Sequence, residues 1–143
     1  IITSVAVATA TTNMRNPPLI LIIDDDKDYL DVLKTKFSSS GFSVETASDG
    51  AVGFARAKEI VPDVILMDVK MPKVDGVGAL IKLKGDSATK DMRVVLMTAF
   101  GDPQQEIFGN DRRFAQELGA FEYVLKSQDL EEIVAKVRNS LYK

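Results

Sequence analysis

Five short apolar runs recur along the 143-residue chain, and two of them end in aspartates. Leu19-Ile20-Leu21-Ile22-Ile23 runs into Asp24-Asp25-Asp26, and Val64-Ile65-Leu66-Met67 runs into Asp68. Short runs rich in β-branched residues read as parallel strands buried on both faces. The carboxylates then stand at the carboxyl ends of two strands, the edge where open α/β sheets hold their ligands. Neighbouring strands lie roughly 4.8 Å apart, so adjacency of these two would crowd several carboxylates into one pocket. Crowding of that kind is unfavourable unless a cation or protons offset it. An all-oxygen donor set suits Mg²⁺. The pattern therefore predicts a Mg²⁺ site with a carboxylate to spare for chemistry.

Helix-period segments separate the runs. Leu30, Leu33 and Phe37 share one face of the first, which stops at Ser39-Ser40-Gly41. Residues 42–47 read as the second strand. Asp49-Gly50 turns into a helix carrying Val52, Ala55 and Ile60, ended by Pro62. After the third strand, at 63–67, a loop at 68–76 contains Pro72 and Asp75-Gly76, and a third helix uses Val77, Leu80 and Ile81. The fourth strand is expected at 93–97. Gly101-Asp102-Pro103 and Gly109-Asn110 interrupt the stretch 98–120, leaving room for a short helix at 111–118. Glu122–Leu125 is the fifth strand, and Leu130, Ile133, Val134, Val137 and Leu141 mark a last amphipathic helix. Five strands alternating with five helices imply one domain with a parallel sheet covered on both faces.

Composition narrows the chemistry. The chain has no cysteine, which excludes disulfides and thiolate chemistry, and no histidine, which excludes imidazole acid/base catalysis and a phosphohistidine of its own. A net charge of −3 argues against this domain gripping nucleic acid by bulk electrostatics. No apolar stretch is long enough to span a membrane. Residues 1–12 are rich in Ala, Thr and Val, without the basic segment of a signal peptide. Residues 1–17 are expected to be a tag or disordered lead, with a native flexible extension as the alternative, and 18–143 the folded domain.

Asp24, Asp25, Asp68, Thr98 and Lys126 all fall at strand ends. Singly, each reads as a helix cap, a turn former, a strand-edge residue or a solvated charge. Jointly, and in this order, they carry a resemblance. The quoting stretches are Leu21-Ile22-Ile23-Asp24-Asp25-Asp26, the run Pro62-Asp63-Val64-Ile65-Leu66-Met67-Asp68-Val69-Lys70-Met71-Pro72 with Asp75-Gly76, Val94-Val95-Leu96-Met97-Thr98-Ala99, and Gly119-Ala120-Phe121-Glu122-Tyr123-Val124-Leu125-Lys126. From about Leu19 to Leu141 the chain resembles a receiver domain of a two-component response regulator.

The resemblance implies a flavodoxin-like, doubly wound (βα)₅ sandwich with strand order 2-1-3-4-5. It implies Asp68 as phosphoacceptor, and Mg²⁺ held by Asp24, Asp25, Asp68 and the Lys70 backbone carbonyl. It gives Lys126 and Thr98 as phosphoryl-binding groups, and Thr98 with Tyr123 as the switch pair. For Tyr123 the plainer reading is a half-buried strand residue with a wet hydroxyl. The implied partner is a sensor histidine kinase or histidine phosphotransfer protein. The implied location is the cytoplasm, and a homodimer through the fourth helix, fifth strand and fifth helix is a further implied association. The domain is expected to be a signalling switch rather than an enzyme, catalysing at most its own phosphorylation and dephosphorylation.

The chain departs from the family pattern in two places. Ser127 follows Lys126 where the family has a proline on a cis bond, and a cis bond before Ser127 costs roughly 2.5–4 kcal/mol. Either the fold enforces it or the loop is rebuilt. The segment from Thr98 to Lys126 is also longer than usual, with the extra length around 103–110. That stretch reads either as an irregular loop folding Ile107 and Phe108 onto the core, the favoured reading, or as a partner surface. Phe100 and Lys70 flank the path of water to Asp68, and a bulky Phe100 is expected to slow hydrolysis of the acyl phosphate.

Two other classes compete. Asp24-x-Asp26 with Thr98 and Lys126 mimics a haloacid-dehalogenase-like phosphatase, but the residues after Asp26 start a helix and Asp68 is left without a role. A phosphate-independent pseudo-receiver would suit a degenerate pocket, yet all key positions are filled. A calcium loop fails because Tyr29 and Thr35 occupy its glycine and closing-glutamate positions.

Overall fold

The computed structural model describes residues 15–69, 76–99 and 119–142. Strands β1 (Leu19–Ile23), β2 (Ser43–Ala47), β3 (Val64–Asp68), β4 (Arg93–Thr98) and β5 (Glu122–Leu125) form one sheet in the order β2-β1-β3-β4-β5. Every pairing is parallel. Helices α1 (Lys27–Ser39), α2 (Gly50–Ile60), α3 (Gly76–Gly85) and α4 (Leu130–Ser140) complete the described elements. This is the doubly wound, flavodoxin-like order expected from the sequence. Lys70, Phe100, the stretch 103–110 with Ile107 and Phe108, and the helix expected at 111–118 lie outside the described residues. Among the described residues, no helix is long and apolar enough to cross a membrane.

The two-residue period of the strands divides the core in two. Ile20, Ile22, Val64, Leu66, Val95, Met97 and Val124 pack with Leu33 and Phe37 of α1 and Ile133 and Val137 of α4. Leu21, Ile23, Ile65, Met67, Val94 and Leu96 pack on the other face with Ala57 of α2 and Leu80 and Leu83 of α3. Each such aliphatic side chain contributes roughly 1.5–3 kcal/mol when taken from water. The same period decides which way the strand ends point. Asp24, Asp68 and Lys126 continue the α1–α4 parity, whereas Thr98 continues the α2–α3 parity, and Tyr123 packs against that second core.

Two helix faces differ from expectation. Val52 and Ala55 of α2 face solvent, and the buried positions are Gly50, Gly53 and Ala57. The reason is close approach: a Cβ at Gly53 would lie 2.4 Å from Cδ1 of Ile23. The fully buried positions of α2 are thus small residues, with Phe54 and Ile60 packing at the margin of the core and Val52 turned outward. In α3, Ile81 is 56% exposed, and Ala79, Leu80 and Leu83 form the buried stripe. The helix ends are held by side chains. Asp26 and Asp49 act as N-caps, accepting from the amides of Tyr29 and Val52. Helix α2 ends at Val61, with φ at 49°, and the Arg15 guanidinium donates to the carbonyls of Val61 and Ile60. That satisfies two of the carbonyls a helix terminus leaves open.

Candidate functional site

Register brings the acidic residues together. Ile22 pairs with Leu66 and Ile23 with Met67, so the next residues on the two strands are Asp24 and Asp68. Asp24 is wholly buried and Asp68 is 3% exposed. Asp25 is exposed beside them, and carboxylate oxygens of all three lie within 4.8 Å of one another. Asp26 leaves the cluster to cap α1. Its backbone amide donates to Asp24 Oδ1 at 2.9 Å, which fixes that carboxylate at the strand end.

Lys126 meets the cluster from β5. Its amide donates to the Thr98 carbonyl at 2.8 Å, extending the β4–β5 ladder by one bond. The ammonium then lies 2.8 Å from Asp24 Oδ2 and 3.3 Å from Asp68 Oδ2. Among the described residues the cis bond is Asn16–Pro17, so Lys126–Ser127 is trans. The loop is rebuilt around Ser127, and the lysine still reaches both carboxylates. Burial alone would lower the ammonium pKa, but Asp24 and Asp68 outweigh it and hold the value above the ordinary one. Lys126 is therefore a fixed positive charge across the working pH range.

Asp24 Oδ2 is buried 2.8 Å from that ammonium without hydrogen-bond alignment, and among the described residues it has no aligned donor. A buried, under-satisfied carboxylate oxygen beside two further carboxylates is a donor set for a hard cation. The oxygens present fit Mg²⁺, and the chain has neither the histidine nor the cysteine that a softer metal prefers.

Thr98 is the last residue of β4 and 2% exposed. Its neighbour Met97 pairs with Asp68, which puts Thr98 one residue beyond the acidic strand end. Tyr123 pairs with Leu96 further back on β5 and is half-buried. One member of the pocket was not read from the sequence. The Tyr29 ring lies 5.0 Å from the Lys126 ammonium, and its hydroxyl is buried with no hydrogen-bond partner among the described residues. Burial, with Asp24 and Asp68 adding and Lys126 opposing, raises the phenol pKa, so the ring stays neutral beneath the cation. The available signal was the cap: with Asp26 as N-cap, the third helical residue is Tyr29, one turn above the strand end.

A match to the family described as response regulator receiver domain spans residues 20–138. The chain belongs to that family. It is 40% identical over 121 residues to the DNA-binding dual master transcriptional regulator RpaA of Synechocystis, covering 85% of this chain and 48% of RpaA. Thus the receiver spans about half the length of that relative. A response regulator from Chloroflexus aurantiacus superposes with a TM-score of 0.78 at 27% identity, covering 89% of this chain and 99% of that one. The chemotaxis protein CheY4 of Vibrio cholerae superposes at 0.74 with 23% identity, covering 86% and 98%, and supports the fold alone. The protein is a receiver domain of a two-component response regulator. These likenesses do not favour the phosphatase or the pseudo-receiver reading.

Proposed function

We propose that Asp68 is the phosphoacceptor of this receiver. The observation that carries the reading is its position: a buried carboxylate 3.3 Å from a protonated lysine and within 4.8 Å of the oxygens of Asp24 and Asp25. In the proposed step an Asp68 oxygen bonds to phosphorus, and the bond from phosphorus to a histidine nitrogen of a partner kinase or phosphotransfer protein breaks. The departing imidazole keeps the electron pair, and Asp68 becomes an acyl phosphate.

Phosphoryl transfer asks a site for alignment and charge neutralisation more than for covalent help. Asp24, Asp25 and Asp68, with the Lys70 carbonyl, are the proposed holders of Mg²⁺. Bound there, the ion would neutralise charge on the phosphoryl oxygens. Lys126 supplies the second cation, trading its pairing with Asp68 for one with a phosphoryl oxygen. Thr98 donates its hydroxyl to the phosphoryl group, and the loop after β4 follows. Tyr123, on the same sheet face as Thr98, moves with it as the switch residue.

The test is stoichiometric modification by acetyl phosphate, or beryllofluoride binding, in the presence of Mg²⁺. The native chain is expected to take up one equivalent, and Asp68→Asn none. Undiminished uptake by Asp68→Asn overturns the assignment.

A further inference from the structure

The corner after β5 is held by one side chain. β5 is an edge strand, bonded only to β4 among the described strands. The amide of Lys126 points into the sheet, to the Thr98 carbonyl. By strand alternation the amide of Leu125 points the other way, where the sheet offers it no acceptor. Gln128 fills that gap. Its side-chain Oε1 accepts from the Leu125 amide at 2.8 Å, and its own amide donates to the Leu125 carbonyl at 3.0 Å. Its Nε2 donates to Glu132 Oε2 at 3.1 Å, on the first turn of α4. Acceptor toward an amide and donor toward a carboxylate agree with one orientation of the Gln128 amide group.

The peptides on either side of the Leu125 Cα are therefore tied down: the one leading into Lys126 by β4 and the Gln128 backbone amide, the one before it by the Gln128 side-chain oxygen. This closure accompanies a trans Lys126–Ser127 bond. We infer that Gln128 is a positioning residue for Lys126, aiming the ammonium at the Asp24–Asp68 pair by closing the loop through its side-chain oxygen. The inference rests on the reading of Lys126 as the phosphoryl-binding cation.

The experiment compares native protein, Gln128→Met, the double variant Gln128→Glu with Glu132→Gln, Lys126→Met, and Lys126→Met with Gln128→Met. Each is read by the rate of phosphorylation by acetyl phosphate, by Mg²⁺ affinity and by melting temperature. Gln128→Met keeps the length and loses the acceptor, and a slightly misaimed group costs about tenfold in rate. It is expected to slow phosphorylation by that factor while leaving Mg²⁺ affinity near native. The charge-swapped double variant keeps an acceptor for the Leu125 amide and a donor–acceptor pair with position 132, and should recover most of the rate. On the Lys126→Met background the Gln128 change should add nothing. An unchanged rate in Gln128→Met, no recovery in the swap, or a full further loss on Lys126→Met overturns the inference. A native rate in Lys126→Met alone instead overturns the underlying reading of Lys126. Should Gln128→Met melt too low to assay, the swapped variant still decides: it must keep most of the native rate, and loss of that rate at native melting temperature overturns the inference.

Discussion

The two sides of the pocket are built differently. The carboxylate shelf is an extension of two central strands whose side chains are buried on both faces. The lysine corner hangs from a four-residue edge strand of intermediate burial and is closed by hydrogen bonds to one glutamine. The shelf takes its precision from core packing, which a change in any neighbouring strand would disturb. The corner takes its precision from local polar contacts, which can be altered without touching the core. A receiver can thus keep its acidic pocket constant while the loop that delivers the cation varies, as it does here at Ser127.

Shelf and corner should respond differently to substitution. Leu66→Ala, beneath Asp68 in the α1–α4 core, should cost about 3 kcal/mol by denaturant unfolding, with Mg²⁺ present or absent. A cost under about 1 kcal/mol, below the usual range for such a truncation, would break the claim that the shelf rests on the core.

Lys126→Met should cost less, and conditionally. It leaves Asp24 and Asp68 facing each other without a cation, a loss of about 2 kcal/mol in metal-free buffer. Added Mg²⁺ should narrow that gap in thermal melts. An equal gap with and without Mg²⁺ would show that the ammonium and the metal do not serve the same carboxylates.

Asp26→Ala removes the N-cap of α1 and should cost about 1 kcal/mol. It should also loosen the turn whose amide holds Asp24 Oδ1, so Mg²⁺ affinity should fall with stability. Loss of stability with unchanged affinity would separate the cap from the shelf.

The smallest effect lies away from the pocket and calibrates the others. The Asp86 carboxyl is held below its ordinary value of 3.8 chiefly by the Ala88 amide, and next by Lys58. Its folded value is depressed, so its contribution is present above the ordinary value and is lost as pH falls through the folded one. Asp86→Asn should therefore melt slightly below native at pH 7, and the difference should vanish in acid. A difference that grows in acid contradicts the sign.

The shelf was legible in the sequence because its signal is strong and local. Aliphatic runs ending in aspartate specify both the strands and the end at which the carboxylates emerge, and one adjacency brings Asp24, Asp25 and Asp68 together. Strand order came with the resemblance to receiver domains, and the start of a helix after Asp26 was readable from the helical spacing that follows it. The inner face of α2 was not. Hydrophobicity points to Val52 and Ala55, while the helix sits on Gly50, Gly53 and Ala57 because Ile23 leaves no room for a Cβ. Tyr29 was missed because a tyrosine in a first helical turn reads as surface until the cap geometry folds it over Lys126. Gln128 was missed for a similar reason: its partner is the orphan amide of an edge strand, and no sequence pattern marks an amide as orphaned.

The central claim is that one carboxylate of the cluster, Asp68, takes the phosphoryl group while its neighbours do not. Borohydride reduction after reaction with acetyl phosphate and Mg²⁺ converts an acyl phosphate to a stable alcohol, which peptide mass mapping can place. The account predicts a single reduced site at position 68. Reduction at Asp24, Asp25 or Asp26 would contradict it.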